Sequence, residues 1–444
     1  MENVCRDEML FSPYGLIKQK EDQCMENLIR SITATVLLLL FALLTACGSS
    51  NSSPAPPPGV TRTYYIAAED VAWNFAPTGV NQITGIPFSD LTGESEELVM
   101  TRRVSFDNAS TAGGSPNFTT DSAAIQIGTT YKKTLYMEYT DATFTVKKPR
   151  EAKWEHLGFL GPIIRAEVGD TINVVFKNKT LTSRNFSVHP HGVFYTKPNE
   201  GAPYVGNDPS SFTDGNNVTP GSTYTYVWQV PERAGPGPMD GPSVQWMYHS
   251  HVDETDDTYT GLVGPMIVYA KGMLRSDGSV VGIDREFVTL FTVENETKSW
   301  HFSDNLQTYA KLTPDQIDAA ILGPPGTTDS LGLILNGFSD EPNLKHTMNG
   351  YIFGNLPLET MTMKKGEKVR WYVLAMGTEV DLHTPHWHGN TLIANGMRTD
   401  TVSLLPATMV TADMVPDNVG TWLFHCHVND HIDAGMISRY KVDP

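Results

Sequence analysis

From about residue 60 onward, short hydrophobic stretches alternate with clusters of Gly, Pro, Asn and Asp. Thr171-Ile172-Asn173-Val174-Val175-Phe176, Tyr224-Thr225-Tyr226-Val227-Trp228 and Lys368-Val369-Arg370-Trp371-Tyr372-Val373 are rich in β-branched and aromatic residues. Their partly alternating pattern, apolar then polar, predicts strands with one face turned to a core. Long amphipathic helices are scarce, and Pro314 to Ile321 is the best short candidate. The pattern predicts an all-β chain of Greek-key sandwiches.

The pattern also repeats. Gly169-Asp170-Thr171 precedes a strand, and His189 follows 20 residues after Gly169; Gly366-Glu367-Lys368 precedes a similar strand, and His386 again follows 20 residues after Gly366. Two residues beyond each stands His-Gly, as His191-Gly192 and His388-Gly389. Trp246-Met247-Tyr248-His249-Ser250-His251-Val252 then matches Trp422-Leu423-Phe424-His425-Cys426-His427-Val428. Two homologous domains are expected, residues 61–272 and 284–444, joined by a linker at 273–283.

Composition narrows the class. With 444 residues and a net charge of −18 the chain can bury real cores, and its sign argues against nucleic acid. An apolar run from Val36 to Ala46 follows Arg30 and ends in Leu44-Thr45-Ala46-Cys47. It is too short for a membrane span and reads as a signal-peptide core. Leu-Thr-Ala-Cys resembles a bacterial lipobox, in which the Cys is lipidated; an incidental Cys after an ordinary signal peptide is the alternative. Residues 48–60 read as a flexible tether, and residues 1–24 as a mis-assigned start, since Met25 opens a more usual signal peptide. The expectation is a bacterial lipoprotein held by lipid at Cys47 on the periplasmic face of a membrane, the outer one favoured, or at the cell surface. Of four cysteines only Cys426 remains in the folded body, so no disulfide forms there. A lone thiol in an oxidising compartment needs protection, and a metal gives it.

Ten of the 13 histidines fall in four segments: His189-Pro190-His191, His249-Ser250-His251, His383-Thr384-Pro385-His386-Trp387-His388, and His425-Cys426-His427 with His431. Residues i and i+2 of a strand share a face, so each His-x-His aims two imidazoles one way. Imidazoles are borderline donors that suit copper, and eight exceed what a zinc site uses. Cys426, His383, His431 and Met436 add a thiolate, two imidazoles and a thioether, the ligand set of a blue, type 1 copper. At the equivalent positions of the first repeat stand Phe186, Ser250, Thr255 and Thr260, which do not suit such a site.

In order and spacing the four segments resemble the ligand segments of the multicopper oxidases. The resemblance implies two cupredoxin-like Greek-key β-sandwich domains and four coppers per functional unit: one type 1, one type 2, two type 3. It implies that His189 and His386 hold the type 2 copper. His191, His249 and His427 would hold one type 3 copper, and His251, His388 and His425 the other. Electrons from a substrate would enter at the blue copper and reduce dioxygen to water. With no middle domain, the chain is similar to two-domain oxidases that carry the blue copper in the second domain only. That implies a homotrimer with each cluster between neighbouring chains. Tyr195 is similar in placement to a tyrosine that donates an electron near such clusters; a packing tyrosine is the alternative.

The flanking segments Tyr136-Met137-Glu138-Tyr139-Thr140-Asp141, His156-Leu157-Gly158-Phe159-Leu160-Gly161-Pro162 and Gly377-Thr378-Glu379-Val380-Asp381-Leu382-His383-Thr384 resemble ceruloplasmin- and hephaestin-like ferroxidases. That implies iron(II) bound beside the blue copper by Glu341, His346 and Asp430, with Glu379 resembling a further carboxylate supplied by a neighbouring chain. Carboxylates favour iron(III) and lower the iron potential. Asp430 as a partner that merely orients His431, and Glu341 as a surface charge, are the plain alternatives. A laccase-like use, with a phenol, aromatic amine or copper(I) as donor, competes with the ferroxidase reading. A copper-storage protein accounts less well for a thiolate set between cluster histidines.

Overall fold

The computed structural model describes residues 59–90, 105–106, 118–119, 127–203, 214–311, 313–314, 317, 343–378 and 381–444. The expected leader with Cys47, nearly all of the tether, Glu341 and Glu379 lie outside the described residues.

The predicted strands form: those around Thr171 and Val369 lie inside their sheets, and the one around Tyr224 lies at a sheet edge. In the first sheet Thr61–Asn74 pairs antiparallel with Thr130–Tyr139 and parallel with Thr171–Asn178, whose other neighbour is Thr223–Gln229. Thr171–Asn178 alternates strictly between half-buried and buried positions, as its sequence requires. The facing sheet runs Ile164–Glu167, Val263–Tyr269, Ser243–His249 and His189–Pro190. Between them lie Ile66, Ile172, Val174, Phe176, Tyr226, Trp228, Tyr248 and Met266.

The same plan recurs. Arg285–Asn295 pairs antiparallel with Leu344–Met348 and parallel with Val369–Ala375, which pairs with Met409–Met414. Its facing sheet runs Thr362–Lys364, Ile437–Asp443, Gly420–Cys426 and Pro385–Trp387. Phe287, Phe291, Trp371, Trp387, Phe424 and Tyr440 fill this second core. Both pairs of sheets are cupredoxin-like β-sandwiches, and no described sheet mixes strands ending by Tyr269 with strands beginning at Arg285.

Two strands break the alternation for one reason. Val263–Tyr269 and Val369–Ala375 are buried at every position. Trp371, Val373 and Ala375 face their own core, whereas Tyr372 and Leu374 join Val263, Ile267, Tyr269, Val288 and Leu290 in a cluster drawn from both sandwiches. A fully buried Val, Leu or Phe contributes about 1.5–3 kcal/mol, so this shared cluster accounts for apolar residues on both faces.

A buried ionic group spans the same junction. Lys133 Nζ donates to Glu294 at 3.0 Å, to Glu296 at 2.6 Å and to the Tyr259 carbonyl at 2.6 Å, with Lys133 and Glu296 fully buried. Burial alone would strip the lysine of its proton, but the two carboxylates outweigh it and raise its pKa. Lys133→Ala leaves two carboxylates buried without their cation and is expected to cost about 3–5 kcal/mol. A urea titration reads this as a lowered midpoint, while Lys133→Met with Glu294→Leu and Glu296→Leu regains most of it. An unchanged midpoint in Lys133→Ala would show that these charges do not hold the sandwiches together.

Candidate metal centre

The ligand segments lie at corresponding registers of the two facing sheets. His189 stands opposite His249, and His386 opposite His425. The glycine after each set's second histidine has a structural cause. Gly192 and Gly389 have φ of +77° and +74°, and a Cβ there would lie 2.3 Å and 2.4 Å from the rings of Trp246 and Trp422. The chain thus turns left-handed immediately after the second histidine, under an indole of the neighbouring strand.

Two sets of four imidazoles result. The rings of His189, His191, His249 and His251 contact one another at centroid separations of 5.1 to 5.5 Å. Those of His386, His388, His425 and His427 do so at 4.5 to 5.6 Å. Among the described residues, no close grouping of donor atoms joins one set to the other.

Hydrogen bonding fixes which nitrogen three of the rings offer. A carbonyl only accepts, so His189 Nδ1 donates to Glu200 O, His249 Nδ1 to Ser250 O and His425 Nδ1 to Cys426 O. Each of these three Nε2 atoms is left with a lone pair. Two of them face a second imidazole nitrogen, His249 Nε2 lying 3.2 Å from His191 Nε2 and His425 Nε2 2.9 Å from His388 Nε2. Burial, then crowding by neighbouring imidazoles, pushes His249 down to about 3 and His191 to about 4. These two rings are neutral at pH 7, the form that binds a metal.

The third group is His383, Cys426 and His431, all buried. Asp381 Oδ1 accepts from His383 Nε2 at 3.2 Å, which turns His383 Nδ1 inward. The edges of the donor triangle are 3.2 Å between the two Nδ1 atoms and 3.9 Å and 3.7 Å from Cys426 Sγ to His383 and His431. A point equidistant from all three lies about 2.1 Å from each, close to metal–nitrogen and metal–sulfur bond lengths. Met436 is fully buried in the same core as Cys426, and its backbone bonds to both Cys426 and His431. Burial raises the Cys426 thiol above its usual range, so the thiolate form calls for a cation. Imidazole, thiolate and thioether donors in a three-sided pocket fit copper.

Of the residues expected at an iron site, His346 and Asp430 are described. The His346 ring lies 5.0 Å from that of His431, and its Nδ1 donates to Leu344 O at 3.1 Å, leaving Nε2 its lone pair. Burial, with His431 adding to it, holds His346 down at about 3 although Asp430 opposes this. Asp430 is exposed. Tyr195 meets His189 edge-on at 5.9 Å. His156 and His301 serve the fold, accepting from Val288 N and meeting Thr134 Oγ1.

Sequence spacing misplaced two positions of the first repeat and passed over three carboxylates. Cys426 N donates to Met436 O and Met436 N to His431 O; in the first repeat Ser250 N donates to Leu262 O and Leu262 N to Asp257 O. The counterparts of His431 and Met436 are therefore Asp257 and Leu262, not Thr255 and Thr260. The helix Glu254–Thr260 is longer than Asn429–Asp433 and shifts the register. Asp381, buried and also accepting from Val293 N and Thr378 N, orients His383. Its signal was an acid two residues before a ligand, within a segment whose Gly377 leaves it room. Glu254 lies 3.4 Å from His251 Nε2 and Asp400 3.6 Å from His386 Nε2, each beside one imidazole set.

Several known proteins align with most of this chain. Ferroxidase HEPHL1 of Homo sapiens is 40% identical over 385 residues, hephaestin of Rattus norvegicus 39% over 390, and ceruloplasmin of Homo sapiens 37% over 410. The alignments take in 86%, 87% and 91% of this chain, but the chain spans 29%, 30% and 35% of those proteins' lengths. Among solved structures, the multicopper oxidase mgLAC aligns at 18% identity over 86% of both chains with a TM-score of 0.48. Two multicopper oxidase family models match residues 137–272 and 334–444, which hold all four ligand segments and more than half of the chain. The chain belongs to the multicopper oxidases, and copper is its cofactor.

Proposed function

We propose that this chain is a ferroxidase: it takes one electron from each of four iron(II) ions and passes them to dioxygen, which with four protons gives two waters. The observation that carries this reading is His346, a neutral imidazole 5.0 Å from His431 with Asp430 nearby. An imidazole and a carboxylate beside a Cys–His pocket form a hard, anionic entry point that favours iron(III) over iron(II). The name of one relative, Ferroxidase HEPHL1, supports it.

Bound copper supplies one-electron redox chemistry, which lets single electrons be gathered for the four-electron reduction of dioxygen. In this proposal His383, Cys426, His431 and Met436 hold the type 1 copper, with Asp381 fixing His383. His189 and His386 hold the type 2 copper, and His191, His249, His427, His251, His388 and His425 the type 3 pair. Tyr195, in contact with His189, is read as a spare one-electron donor. Glu341 and Glu379 complete the iron site from segments outside the described residues.

The same reading makes the working unit a homotrimer of two-domain chains, divided at residues 273–283. What supports it is that each chain carries two separate half-sets of imidazoles, which a neighbour's complementary half would complete. Export with a lipid anchor at Cys47, to a periplasmic or cell-surface location, belongs to the proposal and rests on Leu44-Thr45-Ala46-Cys47. Among the described residues no helix is long and apolar enough to cross a membrane.

Three measurements test these proposals. In oxygen uptake, His346→Ala and Glu341→Ala are expected to lower kcat/KM for iron(II) by roughly 10–100-fold and to spare turnover of a phenolic dye. Equal loss on both donors, or none on iron, rules out the iron site, and copper(I) as a third donor tests the copper-tolerance alternative. Cys426→Ser is expected to abolish the blue absorption band and all turnover while cluster copper stays bound; full turnover without the thiol would sink the electron-entry assignment. Sedimentation of the copper-loaded protein is expected to give three chains, and a monomer with its full copper complement would overturn the shared cluster.

A further inference from the structure

The first repeat keeps the framework of the blue-copper pocket and fills it with something else. Thr384 N donates to Cys426 Sγ at 3.4 Å; at the same place Ser187 N donates to Ser250 Oγ at 3.1 Å. With the backbone bonds already described, Phe186 stands for His383, Ser250 for Cys426, Asp257 for His431 and Leu262 for Met436. Where Cys426 and His431 converge on a metal position, Ser250 Oγ donates directly to Asp257 Oδ2 at 2.6 Å.

The Asp257 carboxylate does more than pair with the serine. Oδ2 also accepts from Val252 N at 3.2 Å and Asp253 N at 3.1 Å, and Oδ1 accepts from Trp300 Nε1 at 2.9 Å. Side chain and loop are thus tied at four points around a group that is 1% exposed. Burial pushes its carboxyl up to about 6, so it is ionised at pH 7 and its hydrogen bonds are charge-assisted. These ties fasten the segment directly after His249-Ser250-His251. In the second repeat, the corresponding segment after His425-Cys426-His427 is closed by residues that converge on the metal pocket.

We propose that Asp257 is a positioning residue that takes over the structural part of a blue copper: with Ser250 it holds His249 and His251 in place without metal. The two imidazole sets then differ in kind. The first is fastened fully in the bare protein, and the second is fastened further when the Cys426 pocket is filled. The proposal rests on reading these histidines as copper ligands.

Hydrogen exchange on the full chain, metal-free and copper-loaded, tests it. The Val252 and Asp253 amides are expected to be protected equally in both forms, while residues 428–436 gain protection with copper. Asp257→Ala is expected to speed exchange at Val252 and Asp253 by roughly tenfold or more, since bonds to a buried charge are lost. It should also lower the copper retained per chain and leave the blue band intact. Asp257→Asn, which keeps one acceptor oxygen and the side-chain shape, is expected to fall between. Protection at Val252 and Asp253 that arrives only with copper, or that survives both substitutions, overturns the proposal. If the chain takes up no copper, the ligand assignment fails, while the exchange rates in metal-free protein still decide the role of Asp257.

Discussion

The structure depends on one repeated juxtaposition: two histidines directly opposite each other on neighbouring antiparallel strands, His189 with His249 and His386 with His425. Cross-strand register brings side chains within a few ångströms only when both strands keep phase, because a slip of one residue sends every side chain to the other face. The phase is kept from behind. Trp246 and Trp422 occupy space that only Gly192 and Gly389 leave open, and Trp387 and Phe424, flanking the ligands, pack as stacked rings in the core. A core mutation far from any donor atom would therefore disturb the donors through register alone.

The carbonyl oxygens form a second layer of control. By accepting from Nδ1 of His189, His249 and His425 they choose the tautomer, and burial then keeps the rings uncharged. Asp381 does the reverse for His383, binding Nε2 so that Nδ1 faces Cys426. These three cluster rings thus present Nε2 and His383 presents Nδ1, set by which ring nitrogen meets the acceptor. Asp381 also accepts from Val293 N, so this choice is tied to the strand Arg285–Asn295 at the heart of the second sandwich.

Much of this was legible in the sequence because strand periodicity and residue type carry it. The alternation in Thr171–Asn178, the repeated His-Gly and Trp-x-x-His elements and the lone Cys426 each have a local physical meaning that needs no tertiary context. What spacing missed has the opposite character. Asp257 and Leu262 fall at the blue-copper positions because the helix Glu254–Thr260 absorbs extra residues, and a fixed offset from Ser250 cannot show where a helix places them. The burial of Val369–Ala375 on both faces follows from contact with the other sandwich, and the pairing of Lys133 with Glu294 and Glu296 is equally non-local.

The asymmetry between the repeats gives the molecule a direction. Cys426 ends the strand Gly420–Cys426 and lies between His425 and His427 in sequence, so its sulfur is joined to both imidazoles through the backbone. In the first repeat Ser250 breaks that link: an alcohol does not exchange single electrons at accessible potentials, and its hydroxyl is committed to Asp257. In the proposed reading, substrate electrons therefore enter by way of Cys426 in the second repeat, from the pocket beside His346 and Asp430, and the first repeat offers Tyr195 alone as a donor. The first repeat is free to be optimised for rigidity, and four hydrogen bonds on one buried carboxylate are a rigid solution. In that reading two copies of one fold divide the labour, one conducting and one holding, by changing the few side chains that converge on a single pocket.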